Sequence, residues 1–257
     1  MSKSNKLCLL LLSFAAAFSA LAEDPGVSPV FFQRAEQAYQ MARARYHREP
    51  TNVEAAWQFG RACCDRADVA AHDKERATLA EEGILACRQG LVDDPKSAWA
   101  HYYLGIDLGE LANTRGLGAL PLLHDMEDEW MTAARLDPAI DYGGPERCLG
   151  LLYRDAPGWP LSVGSRAKSI KYLTDALRLS PGYPDNLLTL AEAHLKWNDY
   201  TAAASVVARI PAVLKPARQD LTGPAWESIW VDWSRRWQAI QSRLNESTHF
   251  QTPHAGK

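Results

Sequence analysis

Residues 97–113, SAWAHYYLGIDLGELAN, hold the pair Leu104-Gly105 at the centre of a helix-length run. The same arrangement, a large apolar residue followed by glycine, stands 45 residues earlier as Phe59-Gly60 and 45 residues later as Leu149-Gly150. Each pair is followed by a second helix-length run that closes on proline, at Asp94-Pro95, Asp137-Pro138 and Ser180-Pro181. A shorter fourth copy opens at Leu190-Ala191 and passes through Tyr200 and Ala203. Recurrence at this period means stacked helical pairs, none of which can bury its apolar face alone. Two helices approach closely only where a small residue leaves room for the partner, and a large neighbour must fill the groove beside it. Proline, lacking an N–H, then stops the second helix. The expected fold is all-α: a right-handed helical solenoid of about four helix pairs, with long insertions inside the repeats and a capping helix at each end.

The residues that carry this pattern resemble the tetratricopeptide repeat. The first helices supply Phe59, Gly60 and Cys63, then Leu104, Gly105 and Leu108, then Leu149, Gly150 and Tyr153. The second helices supply Trp130 and Ala133, then Leu173 and Ala176. A repeat of that family spans about 34 residues, so three of these units are roughly ten residues too long. The surplus lies near 65–79, 112–124 and 155–164. The first has no breaker and should extend its helices, while Gly116, Gly118 and Pro121 in the second and Pro157-Gly158-Trp159-Pro160 in the third read as loops on one edge of the stack. Trp159 is the candidate for an exposed ring.

Residues 143–153, GGPERCLGLLY, are similar to a run in exported bacterial tetratricopeptide proteins of the TRAP-transporter T-component type. That resemblance implies a periplasmic solenoid working beside a solute-binding protein, with a central cavity for an apolar ligand as the alternative. The Leu-Gly and helix pattern also resembles the eukaryotic regulators of microtubule dynamics. On the repeat pattern Cys63 and Cys87 fall at facing positions. In an oxidising compartment a bridge there would close a loop of about 24 residues and contribute about 3 kcal/mol in the chain-entropy view. The other reading makes them small packing residues.

Residues 1–22 read as an export leader: Lys3 and Lys6, an apolar run from Leu9 to Phe18, and Ala20-Leu21-Ala22 before Glu23-Asp24. A periplasmic or secreted location follows as the expectation. The formal charge of −3 gives no basic footprint for nucleic acid. Motifs for nucleophilic hydrolysis, phosphate cradling, zinc or dinucleotides are absent from the sequence, so a non-enzymatic binding module without a cofactor is expected. His124, Asp125, Glu127 and Asp128 read as the charged first turn of a helix rather than a metal site.

In the repeat family the concave groove is lined by first-helix positions. Carried over, these place Trp57, Arg61, Trp99, Tyr102, Arg147, Arg154 and Glu192 on a face that would suit an extended peptide or an acidic terminus. The competing reading packs Trp57 and Tyr102 between units and pairs the arginines with Asp65, Glu110 or Asp155. Trp226, Trp230, Trp233 and Trp237 fall within an arc of about 60° at helical spacing, with Ile240 and Leu244 continuing the stripe. Such a helix seals the last repeat, or offers a partner surface. The expected organisation is a leader over 1–22, an N-terminal capping helix within 23–50, four repeats over 51–215, a Trp-rich capping helix within 216–245, and a disordered tail over 246–257.

Overall fold

The structure, a computed structural model, describes residues 29–251; the leader expected at 1–22 lies outside them. Eleven α-helices and two short 3-10 turns follow one another among these residues. A capping helix α1 (Pro29–Arg48) precedes four pairs: α2 (Val53–Ala67) with α3 (Asp73–Asp93), α4 (Ala98–Asn113) with α5 (Leu120–Leu136), α6 (Gly144–Asp155) with α7 (Arg166–Leu179), and α8 (Pro184–Lys196) with α9 (Tyr200–Val207). Helices α10 (Ile210–Asp220) and α11 (Glu227–Gln251) then pack back on α8.

Local chemistry sets the boundaries. The Asn52 side-chain oxygen accepts from the N–H groups of Glu54 and Ala55, Ser97 Oγ from Ala100, Ser165 Oγ from Lys168 and Asp199 Oδ1 from Ala202, each satisfying orphan donors at a helix start. The aspartates before proline have their own task. Asp94 and Asp137 accept from Lys96 N and Ala139 N, both at 3.0 Å, which ties down the turn between repeats.

The repeated glycines mark the closest helix crossings. A side chain on Gly105 would overlap the indole of Trp130, whose Nε1–H donates to Tyr102 O at 3.2 Å. Gly150 leaves the same room for Leu173, and Gly60 for Cys87 Sγ. Cys87 therefore packs against the helix one turn before Cys63. Both are free, buried thiols, so the bridge between them is not formed and the cysteines serve as small packing residues.

The insertions resolve differently from one another. The first is absorbed mainly by α3, of 21 residues. The second is helical rather than an open loop: Gly116–Ala119 makes a 3-10 turn and Pro121 sits in the first turn of α5, where a missing N–H costs nothing. His124 to Asp128 consequently lie inside α5, not in its first turn, and no cluster among the described residues could hold a metal ion. The third is a loop. Gly164 N donates to Pro157 O at 2.8 Å and Ser165 N to Tyr153 O at 2.8 Å, closing its base and leaving Trp159 89% exposed at the tip.

At the C-terminus the expected boundaries shift. Residue 215 falls inside α10, a helix with Pro216 in its interior, and α11 runs to Gln251, past the expected end at 245. The tail from 252 lies outside the described residues. The tryptophan stripe divides: Trp226 and Trp233 are buried against Tyr183 and the α8 leucines, while Trp230 and Trp237 are only partly covered. At the other end Ala35 and Tyr39 of α1 are buried, and the Tyr39 ring packs 5.7 Å from that of Phe59.

Candidate functional site

The first helices α2, α4, α6 and α8 lie next to one another and carry the seven groove residues expected from the sequence, in three distinct environments. At the N-terminal end, Trp57 of α2 and Trp99 of α4 stack with ring centroids 5.1 Å apart, and Tyr103 lies parallel to Trp57 at 5.7 Å. Both indoles are half-buried, whereas Tyr103 is buried and backs the stack. Arg61, one turn after Trp57, makes a long 3.9 Å pair with Asp65 among the described residues. Burial works against its charge, but Tyr103, Asp65 and Asp141 together hold the guanidinium above its usual range.

The middle of the row is a buried polar hub. Asp141 and Tyr142 adopt φ of 46° and 57°, and Gly143 follows at 77°. Only glycine fits this last position, because a Cβ would also press on the Ala176 backbone. Left-handed backbone at two non-glycine residues costs on the order of 1–3 kcal/mol each. It brings the Asp141 carboxylate to the Tyr102 hydroxyl, which donates at 2.6 Å, and to Arg147 Nη2 at 2.9 Å. Arg147 also pairs through Nε with Asp185 at 2.9 Å and donates to Asn186 Oδ1 at 2.9 Å. Asn186 in turn donates to the carbonyls of Tyr142, Ala176 and Ser180. Burial disfavours the Arg147 charge, and Asp141 and Asp185 more than offset it. Tyr102 and Arg147 are each 1% exposed. Neither can meet a partner, so both leave the list of binding residues and become the tie between repeats two, three and four.

The C-terminal end is occupied by the chain itself. Arg154 pairs with Asp155 at 2.7 Å and reaches Glu192 at 3.5 Å. Arg236 of α11 lies across the same positions, 2.7 Å from Glu192 and 2.5 Å from Asp185, and Arg243 donates to Leu195 O at 2.7 Å. Helix α11 thus covers the groove face of the fourth repeat. It also touches the first cap, where Arg34 pairs with Glu227 at 2.6 Å. Of the seven residues, Trp57, Trp99 and Arg61 are the ones that neither the buried hub nor α11 engages, with Tyr103, which the groove positions do not include, beneath them and the Arg61 side chain 19% exposed.

Residues 161–219 match the family described as Tetratricopeptide repeat. A thermophilic TPR protein of Thermus thermophilus is similar over 81% of this chain and 91% of its own, at 19% identity and a TM-score of 0.59. The fold is a tetratricopeptide-repeat solenoid. Residues 30–139 of the solenoid match the family Regulator of microtubule dynamics protein 1-3, one of the two narrower resemblances visible in the sequence. The structure of MamA is similar at 16% identity over 76% of this chain and 98% of its own, with a TM-score of 0.48. No curated protein matches.

Proposed function

We propose that this solenoid is a non-enzymatic interaction scaffold that takes an extended, acidic segment of a protein partner across Trp57, Trp99 and Arg61. The observation that supports it is the half-exposed indole stack beside a guanidinium whose ion pair among the described residues is a long one, at the stretch of the groove that α11 leaves open. Stacked indoles offer rigid contact area at little entropic cost, and a guanidinium fork recognises carboxylates. The reading extends to an exported location, supported by the leader-like residues 1–22, and to a periplasmic solute-binding protein as the first partner to try, supported by the likeness around Gly143 to Tyr153. A carrier of an apolar ligand on the repeat axis gains no support from a groove whose C-terminal end is filled by the ion pairs of Arg154 and of Arg236 from α11 with Glu192.

The test is affinity capture from the protein's own extracellular or periplasmic extract on immobilised wild type, Trp99→Ala and Arg61→Glu, with circular dichroism to show that the variants fold. A partner retained by wild type and lost by both variants is expected. Identical captured sets from all three would remove the concave face as the binding site.

A further inference from the structure

Two rings of the tryptophan stripe, Trp230 and Trp237, are only partly covered, and one of them borders a cleft. Trp230 packs only partly against the cluster that Trp226 and Trp233 enter; its remaining surface borders an open cleft of about 630 Å³ between α10 and α11. The indole is fixed on two sides. Its Nε1–H donates to Leu221 O at 2.7 Å, and its ring meets that of Trp233 edge-on with centroids 4.9 Å apart. Over its face lies the Arg218 guanidinium, 4.4 Å from the ring centroid. Val231, 61% exposed, adds an apolar side chain to the lining.

The charges of this cleft do not balance. Arg235 is neutralised by Asp232 at 2.8 Å, and Glu227 by Arg34 at 2.6 Å. Arg218 makes no ion pair among the described residues, although it lies among the cleft's lining side chains. A guanidinium stacked on an indole has already given up water on one face, and its edge still offers the donor fork that carboxylates fill in bidentate fashion. Beside it, Leu221, Trp230 and Val231 offer apolar contact. The openness of the cleft suits side chains projecting from a protein segment better than an engulfed small molecule, which needs an enclosed cavity.

We propose that this cleft is a second binding site, for a protein segment in which a carboxylate side chain neighbours a large apolar one, with Arg218 taking the carboxylate and Trp230 and Val231 the apolar group. It stands apart from the Trp57 and Trp99 stack, which α2 and α4 carry, and the two can succeed or fail separately.

The probe is a short synthetic peptide alternating Leu and Glu, with a Leu and Gln peptide as its neutral counterpart. The full chain is labelled with fluorotryptophan, and the fluorine resonances of Trp230 and Trp99 are assigned through Trp230→Phe and Trp99→Phe. Titration of the acidic peptide is expected to shift the Trp230 resonance saturably. Arg218→Glu, on an exposed side chain that makes no ion pair among the described residues, gives up the guanidinium contact with the Trp230 face and so sets its own peptide-free starting resonance; from that baseline the titration should weaken by about tenfold or more, and Arg218→Lys should recover part of it. A Trp230 resonance that stays still, that moves equally with the neutral peptide, or that titrates unchanged in Arg218→Glu overturns the proposal. Failure of the concave site would show instead on Trp99, whose resonance Arg218→Glu should leave untouched.

Discussion

At the scale of single residues, the solenoid depends on charges it has buried. Arg147 is enclosed with Asp141 and Asp185, and removing one partner from such a group leaves the others uncompensated. Arg147→Met is expected to cost about 3–5 kcal/mol, and Tyr102→Phe, which deletes one donor to Asp141, about 1–2 kcal/mol. Urea denaturation midpoints measure both, and an Arg147→Met protein as stable as wild type would show the hub to be ornamental. Other acids are buried with less help. Among the described residues neither carboxylate oxygen of Asp107 finds a hydrogen bond, and burial pushes the group well up, with Glu110 and Asp65 adding to it. Burial also pushes Glu110 up to about 7 against the pull of Arg76, and Glu146 to about 7. A carboxyl whose folded pKa is raised keeps a proton that the unfolded chain has released. The stability it lends is therefore complete below the usual 4.5 and is lost as pH rises to about 7. Unfolding free energy should fall across that window, by on the order of 3 kcal/mol for Glu110 alone. Glu110→Gln and Asp107→Asn should flatten the slope, and equal slopes in wild type and both variants would contradict these assignments.

At the scale of helices, the crossing of α4 and α5 shows what the repeat pattern demands. Gly105 lies under the Trp130 ring, so Gly105→Ala must displace an indole that is itself fixed to Tyr102 O. The expected cost is about 1–3 kcal/mol by overpacking, although alanine is the better helix former. A Gly105→Ala midpoint at or above wild type would mean that the crossing is looser than described. This kind of constraint is why the fold was legible in the sequence: Gly60, Gly105 and Gly150 each answer one local contact that recurs at a fixed interval, and the closing prolines punctuate it. The candidate site was legible only in part. Trp57, Trp99 and Arg61 follow from position on a first helix, but Tyr102 and Arg147 do not declare their burial. Their partners are Asp141, placed by a left-handed turn, and Asp185 and Asn186 in the next repeat, which no local spacing announces. Nor does periodicity reveal α10, whose Pro216 reads as a breaker, or the role of Arg236. That residue looks like part of a solvated face until α11 is laid against Asp185 and Glu192.

At the scale of the whole molecule, an open row of helical pairs is closed by its own last helix. In a solenoid each unit is stabilised chiefly by its neighbours, so the end unit needs a cap with one apolar face. Helix α11 supplies one, burying Trp233, Ile229 and Ile240 in a single cluster with Trp226, Leu187, Leu188, Leu190 and Leu195. Its polar side satisfies Asp185 and Glu192 through Arg236, and its start reaches α1 through the Arg34 and Glu227 pair. The apolar part outweighs the rest. The Arg34 and Glu227 pair is well exposed and worth about 1 kcal/mol at most, whereas emptying the space of a fully buried Trp233 costs about 3–5 kcal/mol. Because coupling in such a stack decays from neighbour to neighbour, the loss should be felt unevenly. Trp233→Ala is expected to lower amide exchange protection most in α8 and α9, less in α6 and α7, and least in α2 to α5, whose core clusters share no buried residue with that of α11. Hydrogen exchange read by mass spectrometry resolves these segments. Uniform loss from α1 to α11 would mean that the closure makes one cooperative unit of the molecule, with the Arg147 hub transmitting the strain. A graded loss would leave the Trp57 and Trp99 stack intact in the variant, and the acidic segment proposed for it should then still bind.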